Sequence, residues 1–137
     1  MVDGDIKFGA TTYFTRQELA CPSTGIVKLA PRFSGALLDL RLSYDHPMTV
    51  NSCCRSMEHN QNIGGHEKSL HIFDFSHHKT GGTAAIDIAW PRDSSHRAAL
   101  VKVALDHGWS VGVARWGVHL DRRDIVDLPQ MVFGYGG

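Results

Sequence analysis

The stretch "GGHEKSLHIFDFSHHKTGGTAAIDIAW", residues 64–90, gathers His66, His71, His77 and His78 with Asp74 and Asp87. Imidazole nitrogens and carboxylate oxygens are the donors that hold zinc. A hydrolytic zinc site needs three of them and an open position for water. Such a site lowers the pKa of its water and polarises a scissile carbonyl. The chain carries nine histidines in all, so the question is which of them share a site. Further on, "GVHLD" adds His119 and Asp121.

Donors must sit on elements that hold them still. "AAIDIAW" alternates, with Ile86, Ile88 and Trp90 on a core side and Ala85, Asp87 and Ala89 on the other, facing outward or into a cleft. In "GVHLD", Val118 and Leu120 face one way and His119 and Asp121 the other. Two strands thus each present a donor on their non-core face. Around them, "FTRQELACP" carries the capping-box pair Thr15 and Glu18, and Pro22 stops its short helix. "APRFSGALLDLRLSYDHP" repeats Phe33, Ala36, Leu37, Leu40 and Tyr44 at helical spacing, with Pro31 in the first turn and Pro47 closing it. "MTVNSCC" reads as a short strand, and residues 55–65 as a helical turn and loop. "PRDSSHRAALVKVALDHG" is a helix capped by Asp93 or Ser94 and ended by Gly108. "WSVGVARWGVHLDRR" makes two strands or one bent strand, and "DLPQMVFGYGG" reads as irregular. Without a βαβ rhythm, the pattern predicts an α+β fold with a small, largely antiparallel sheet flanked by helices.

The bulk numbers set limits on function. A chain of 137 residues, 42% hydrophobic and 20% charged, fits one domain over residues 1–137 with a proper core. Fourteen basic residues balance fourteen acidic ones, which argues against nucleic acid as a partner. No apolar run approaches the roughly 20 residues that span a bilayer, which argues against membrane insertion. The opening "MVDGDIKFG" lacks a basic segment followed by an apolar one. Synthesis in the cytoplasm is therefore expected, and work outside it needs release by another route. Cys21, Cys53 and Cys54 include no C-x-x-C pair and are expected to be reduced and buried. His46, His96 and His107 read as surface or capping groups, Trp90, Trp109 and Trp116 as core or cleft wall, and "DRRD" at 121–124 as a solvated turn.

The ordered series "VNSCCRSMEHNQNIGGHEKSLH", "AAIDIAW" and "GVHLD" resembles the zinc D-alanyl-D-alanine peptidases, which share a fold with hedgehog signalling domains. Ser52, Arg55, Ser56, His59, Asn60, Gly64, Gly65, Ser69, His71, Ala85, Asp87, Ile88 and His119 carry the match. "YFTRQELACP" looks like the start of the branch found in phage and bacterial cell-wall enzymes, so the resemblance spans about residues 13–122. It implies a Zn2+ ion held by His71, Asp87 and His119. It also implies an Arg55 that holds substrate or its developing oxyanion, and a Ser69 that contacts substrate. The implied partners are peptidoglycan stem peptides, cut by an endolysin-like endopeptidase or a D,D-carboxypeptidase released by lysis or carried on a virion.

Two departures qualify the match. The family's usual step from histidine to aspartate is seven residues, whereas His71 and Asp87 lie sixteen apart. The insert, centred on "FDFSHHKTGG", is expected to loop over the cleft and brings the rival donors His77 and His78. Relatives also place a glutamate three residues before the last ligand, or a histidine two before it. Trp116 and Gly117 stand there instead. Asp121, on the same strand face as His119, is the candidate base. Its alternatives are to orient a ligand or to pair with Arg122 or Arg123. His59 and His66 approach the same cleft. A second function stays open: a zinc-stabilised binding or structural module, such as part of a virion, that has lost hydrolysis.

Overall fold

The computed structural model describes residues 4–74 and 78–135. Its elements run β1 (Ile6–Phe8), β2 (Thr11–Phe14), α1 (Arg16–Leu19), α2 (Phe33–Tyr44), β3 (Val50–Ser52) and α3 (Met57–Asn62). Then come β4 (Ala85–Ala89), α4 (Ser94–Asp106), β5 (Ser110–Val113), β6 (Gly117–Asp121), a 3-10 turn (Arg123–Val126) and β7 (Val132–Gly134). β1 and β2 pair with each other, and the remaining strands form one sheet in the order β3-β4-β6-β5-β7. Its pairs are antiparallel apart from β5 with β7. This is the α+β architecture that the sequence predicts.

Local chemistry sets the boundaries. Thr15 accepts from the Glu18 N–H, and the Glu18 carboxylate accepts from the Thr15 N–H at 3.0 Å, closing the capping box on α1. Asp93 accepts from the N–H groups of Ser95 and His96 and starts α4. Gly108 ends it with φ +85°, a conformation glycine takes without steric cost. α2 buries Phe33, Leu37, Leu40 and Tyr44 at the predicted spacing. Arg32 takes the N-cap in a left-handed conformation, so Pro31 falls just outside the helix rather than in its first turn.

Ile86 and Ile88 of β4, Val118 and Leu120 of β6 and Val111 of β5 join Phe33, Leu37, Leu40, Leu100 and Trp109 in one buried cluster. Each such aliphatic side chain gains about 1.5–3 kcal/mol from burial. Phe33 meets Trp109 edge-on with ring centroids 5.6 Å apart. The opposite face of β4 and β6 is covered as well: Ala85, Asp87, His119 and Asp121 are all buried.

Two expectations are corrected. The tail is not wholly irregular, because β7 pairs in parallel with β5. The "DRRD" stretch is not a plain solvated turn, because Asp121 closes β6 and is 1% exposed. The three cysteines are free and buried, as expected. His107 caps the end of α4 and pairs through Nε2 with Ser43 Oγ at 3.0 Å. His46 and His96 stack at 4.0 Å. No described helix is long and apolar enough to cross a membrane.

Candidate metal centre

Antiparallel pairing of β4 with β6 sets Asp87 directly opposite His119. Strand alternation turns both away from the Ile86–Leu120 side, so two donors are neighbours through backbone register alone. His71 has no strand to sit on and is locked by its backbone. Its C=O accepts from the Arg55 N–H at 3.0 Å and from Thr83 Oγ1 at 2.7 Å, and its N–H donates to Ser69 Oγ at 3.1 Å. The glycine pair ahead of it has a packing reason. A side chain at Gly65 would collide with Asn60, which is buried and whose Nδ2 donates to the His66 carbonyl.

The donors converge on one oxygen. His71 Nε2 and His119 Nδ1 each lie 3.0 Å from Asp87 Oδ1. The far nitrogen of each ring is tied down: His71 Nδ1–H donates to the Cys53 carbonyl and His119 Nε2–H to Asp121 Oδ2, both at 2.7 Å. These partners orient the rings so that His71 Nε2 and His119 Nδ1 face Asp87, the two nitrogens that would take a metal in place of the protons they direct at that carboxylate. Ring N–H groups anchored to a carbonyl and a carboxylate are what metal-ligating histidines require behind them. Among the described residues, His71, Asp87 and His119 form the group that could hold a metal ion, their donor atoms all within 4.8 Å of one another. A two-histidine, one-carboxylate set beside an open cleft suits hydrolytic zinc.

Charge is balanced inside the site. Burial works against ionisation of Asp87, but hydrogen bonds from His119 and His71 outweigh it and hold the carboxyl well below its usual range. Burial pushes His71 below the ordinary imidazole value, toward the neutral ligand form. For His119 burial acts the same way, yet its bonds to Asp121 and Asp87 prevail and raise it. Arg55 lends Nε to Ser52 Oγ at 3.0 Å, one terminal nitrogen to Asn60 Oδ1 at 3.2 Å and the other to Asp87 Oδ2 at 3.2 Å. Arg123 Nε donates to Asp121 at 3.1 Å and 3.2 Å.

These groups floor a cleft of about 930 Å³. Arg55, Ser69, His71, Asp87, His119 and Asp121, the six site residues read from the sequence, all line it. His66 and the rival donor His78 stand on its wall, outside the converging set. His77 and Ser76 lie outside the described residues. His59 sits on α3 away from the lining, Trp116 is rim, and Trp109 is core. A separate hollow over α4, lined by Trp90, Val101 and Leu105 among others, carries no convergent donors.

Sequence reasoning missed the far wall. Phe133 and Tyr135 come from the tail, and their rings lie 5.9 Å and 5.6 Å from that of His119. Gly112, opposite His119 on β5, makes room for them: a Cβ there would stand 2.6 Å from Phe133 Cε2 and 2.7 Å from Tyr135 Cε2. The Tyr135 phenol is pushed up to about 12 by burial and by the charges of Asp87 and Asp121. The alternation in "VFGY" was the available signal, but three strand residues are too few to declare themselves.

No curated protein sequence matches the chain closely enough to name as a relative. The sequence model of one family, Peptidase M15, matches residues 12–121, from β2 through the last residue of β6. That span takes in Arg55, Ser69 and all three converging donors, and on it the chain belongs to the Peptidase M15 family.

Proposed function

We propose that this chain is a zinc-dependent peptidase that hydrolyses peptide bonds in the stem or cross-link of bacterial peptidoglycan, with His71, Asp87 and His119 as ligands. The family is zinc-dependent. The observation that carries the proposal is the convergence of His71 Nε2 and His119 Nδ1 on Asp87 Oδ1, each ring braced from behind. Zinc bound there supplies Lewis acidity and a water of lowered pKa.

The chain's own residues do the rest. A guanidinium has five N–H donors, and Arg55 spends three on Ser52, Asn60 and Asp87. Among the described residues the remainder meet no acceptor and can hold a substrate carboxylate or carbonyl oxygen, a charge-assisted contact. Ser69 uses its oxygen as acceptor for the His71 N–H, which leaves its proton for the substrate backbone. The sequence left Asp121 between a base and an orienting partner. Its two oxygens are engaged by His119 and Arg123, and we assign it the orienting role. The enzyme reaches the wall after release by lysis or as part of a virion.

A second reading has one observation in its favour. Trp116 and Gly117 occupy the places where similar peptidases carry an acid–base residue, as in a zinc-stabilised binding module. Mass spectrometry of purified peptidoglycan incubated with zinc-loaded and chelator-treated protein separates the two. The peptidase releases chelator-sensitive peptide fragments that also identify the bond. Folded, zinc-bearing protein that releases none across several wall chemotypes is the binding module.

A further inference from the structure

The three polar groups read from the sequence beside the metal donors are largely occupied. Arg55 is tied to Ser52, Asn60 and Asp87, Asp121 to His119 and Arg123, and Ser69 to the His71 backbone. The cleft's other wall lies beyond residue 121, where the family match ends. There β7 runs parallel to β5, with Gly112 beside Phe133 and Val113 beside Gly134, and the Tyr135 N–H donates to the Val113 carbonyl at 2.9 Å. This bond fixes the backbone that carries Tyr135. Its ring is set by packing: 5.4 Å from Phe133, edge-on to His119 at 5.6 Å and 6.2 Å from Trp116. Arg123 lies over the Phe133 ring at 4.8 Å and holds that neighbour in turn. Gly112 removes the one side chain that would displace both rings. Tyr135 lines the cleft, and its phenol feels the charges of Asp87, Asp121, Arg55 and Arg123 and makes no hydrogen bond among the described residues.

We infer that Tyr135 is a catalytic hydrogen-bond donor of this cleft, its phenol O–H directed to the substrate oxygen that gains negative charge as the scissile carbonyl is attacked. The inference rests on the peptidase reading above. Tyr135 keeps its proton throughout. Hydrolysis adds water across the C–N bond, hydroxyl to the carbonyl carbon and proton to the leaving amine, and the phenol only lends its hydrogen bond. A donor that meets charge chiefly in the transition state lowers the barrier without tightening ground-state binding.

The test compares zinc-loaded wild type with Tyr135→Phe, which keeps the ring and its packing. Calorimetry measures binding of a phosphinate analogue of D-alanyl-D-alanine, whose tetrahedral oxygens mimic the charged state, and of D-alanyl-D-alanine itself, while elemental analysis gives zinc content. Phosphinate affinity is expected to fall about 10–100-fold, with dipeptide affinity within about threefold and zinc content unchanged. In turnover, kcat falls by a similar factor at constant KM. Phosphinate affinity that stays within about twofold, or that falls no more than dipeptide affinity, overturns the inference. So does a wild type that does not bind the phosphinate. Because the binding comparison needs no turnover, a wild type that binds the phosphinate yet cuts no peptidoglycan defeats the peptidase reading and still decides Tyr135.

Discussion

The floor and the far wall of the cleft are built by opposite means. The floor is the β4–β6 pair, inner strands of the sheet with both faces covered, and its donors Asp87 and His119 are fixed by register. The wall is β7, a three-residue edge strand whose Val132 is 61% exposed, with Tyr135 just after it 44% exposed. A metal tolerates little error in donor placement, and rigid inner strands suit it. A wall that meets variable substrate has no such need, and edge elements open at lower free energy than core strands. On the proposed reading the floor governs metal and stability, and the wall meets substrate with little bearing on either.

The largest effect expected tests the floor at its centre. His119→Ala removes one of three donors and is expected to abolish zinc binding and hydrolysis together; elemental analysis and peptide release check it, and retained activity would overturn the ligand assignment. Stability should divide along the same line. Ile88→Ala, in a fully packed strand, is expected to cost about 2–5 kcal/mol in denaturant unfolding. Val132→Ala on the wall is expected to stay within about 0.5 kcal/mol. Equal losses would erase the distinction.

Asp121→Asn sharpens it from behind the ligand. A partner that holds His119 in its tautomer is expected to weaken zinc affinity about 10–100-fold when altered, measured by competition with a chelating dye. A general base in the same place would leave affinity intact and remove only turnover. The smallest effect is that of pH. In the metal-free protein His119 is raised above the ordinary imidazole value by Asp121 and Asp87 despite its burial. Below that raised value a proton holds the ring and zinc must displace it. Affinity should thus fall with pH by up to about tenfold per unit and level off above it. Zinc titrations across that range check the sign, and affinity that rises on acidification would contradict it.

The same division decides what could be read from sequence. Asp87 and His119 were legible because each sits in a short run whose alternation is local, and local periods survive without knowledge of the partner strand. α1 and α4 were legible through Thr15, Glu18, Asp93 and Gly108, whose side chains or backbone act within a few residues. His71 has no periodicity to announce it. Only the ordered motif around it, including Gly65 against Asn60, singled it out from His77 and His78. The burial of Asp121 was hidden, because "LDRRD" has the composition of a solvated turn and its true partner, His119, faces it only once β6 has formed. β7 was hidden for a related reason: its partner β5 lies some twenty residues back and pairs in parallel, which no hairpin signal marks.

The measurement that bears most directly on the account is diffraction at the zinc edge from crystals of the zinc-loaded protein. The account predicts one anomalous peak bonded to His71 Nε2, an Asp87 oxygen and His119 Nδ1, with His119 Nε2 still on Asp121. A peak that takes His77 or His78 as a ligand, or that binds His119 through Nε2, would contradict it.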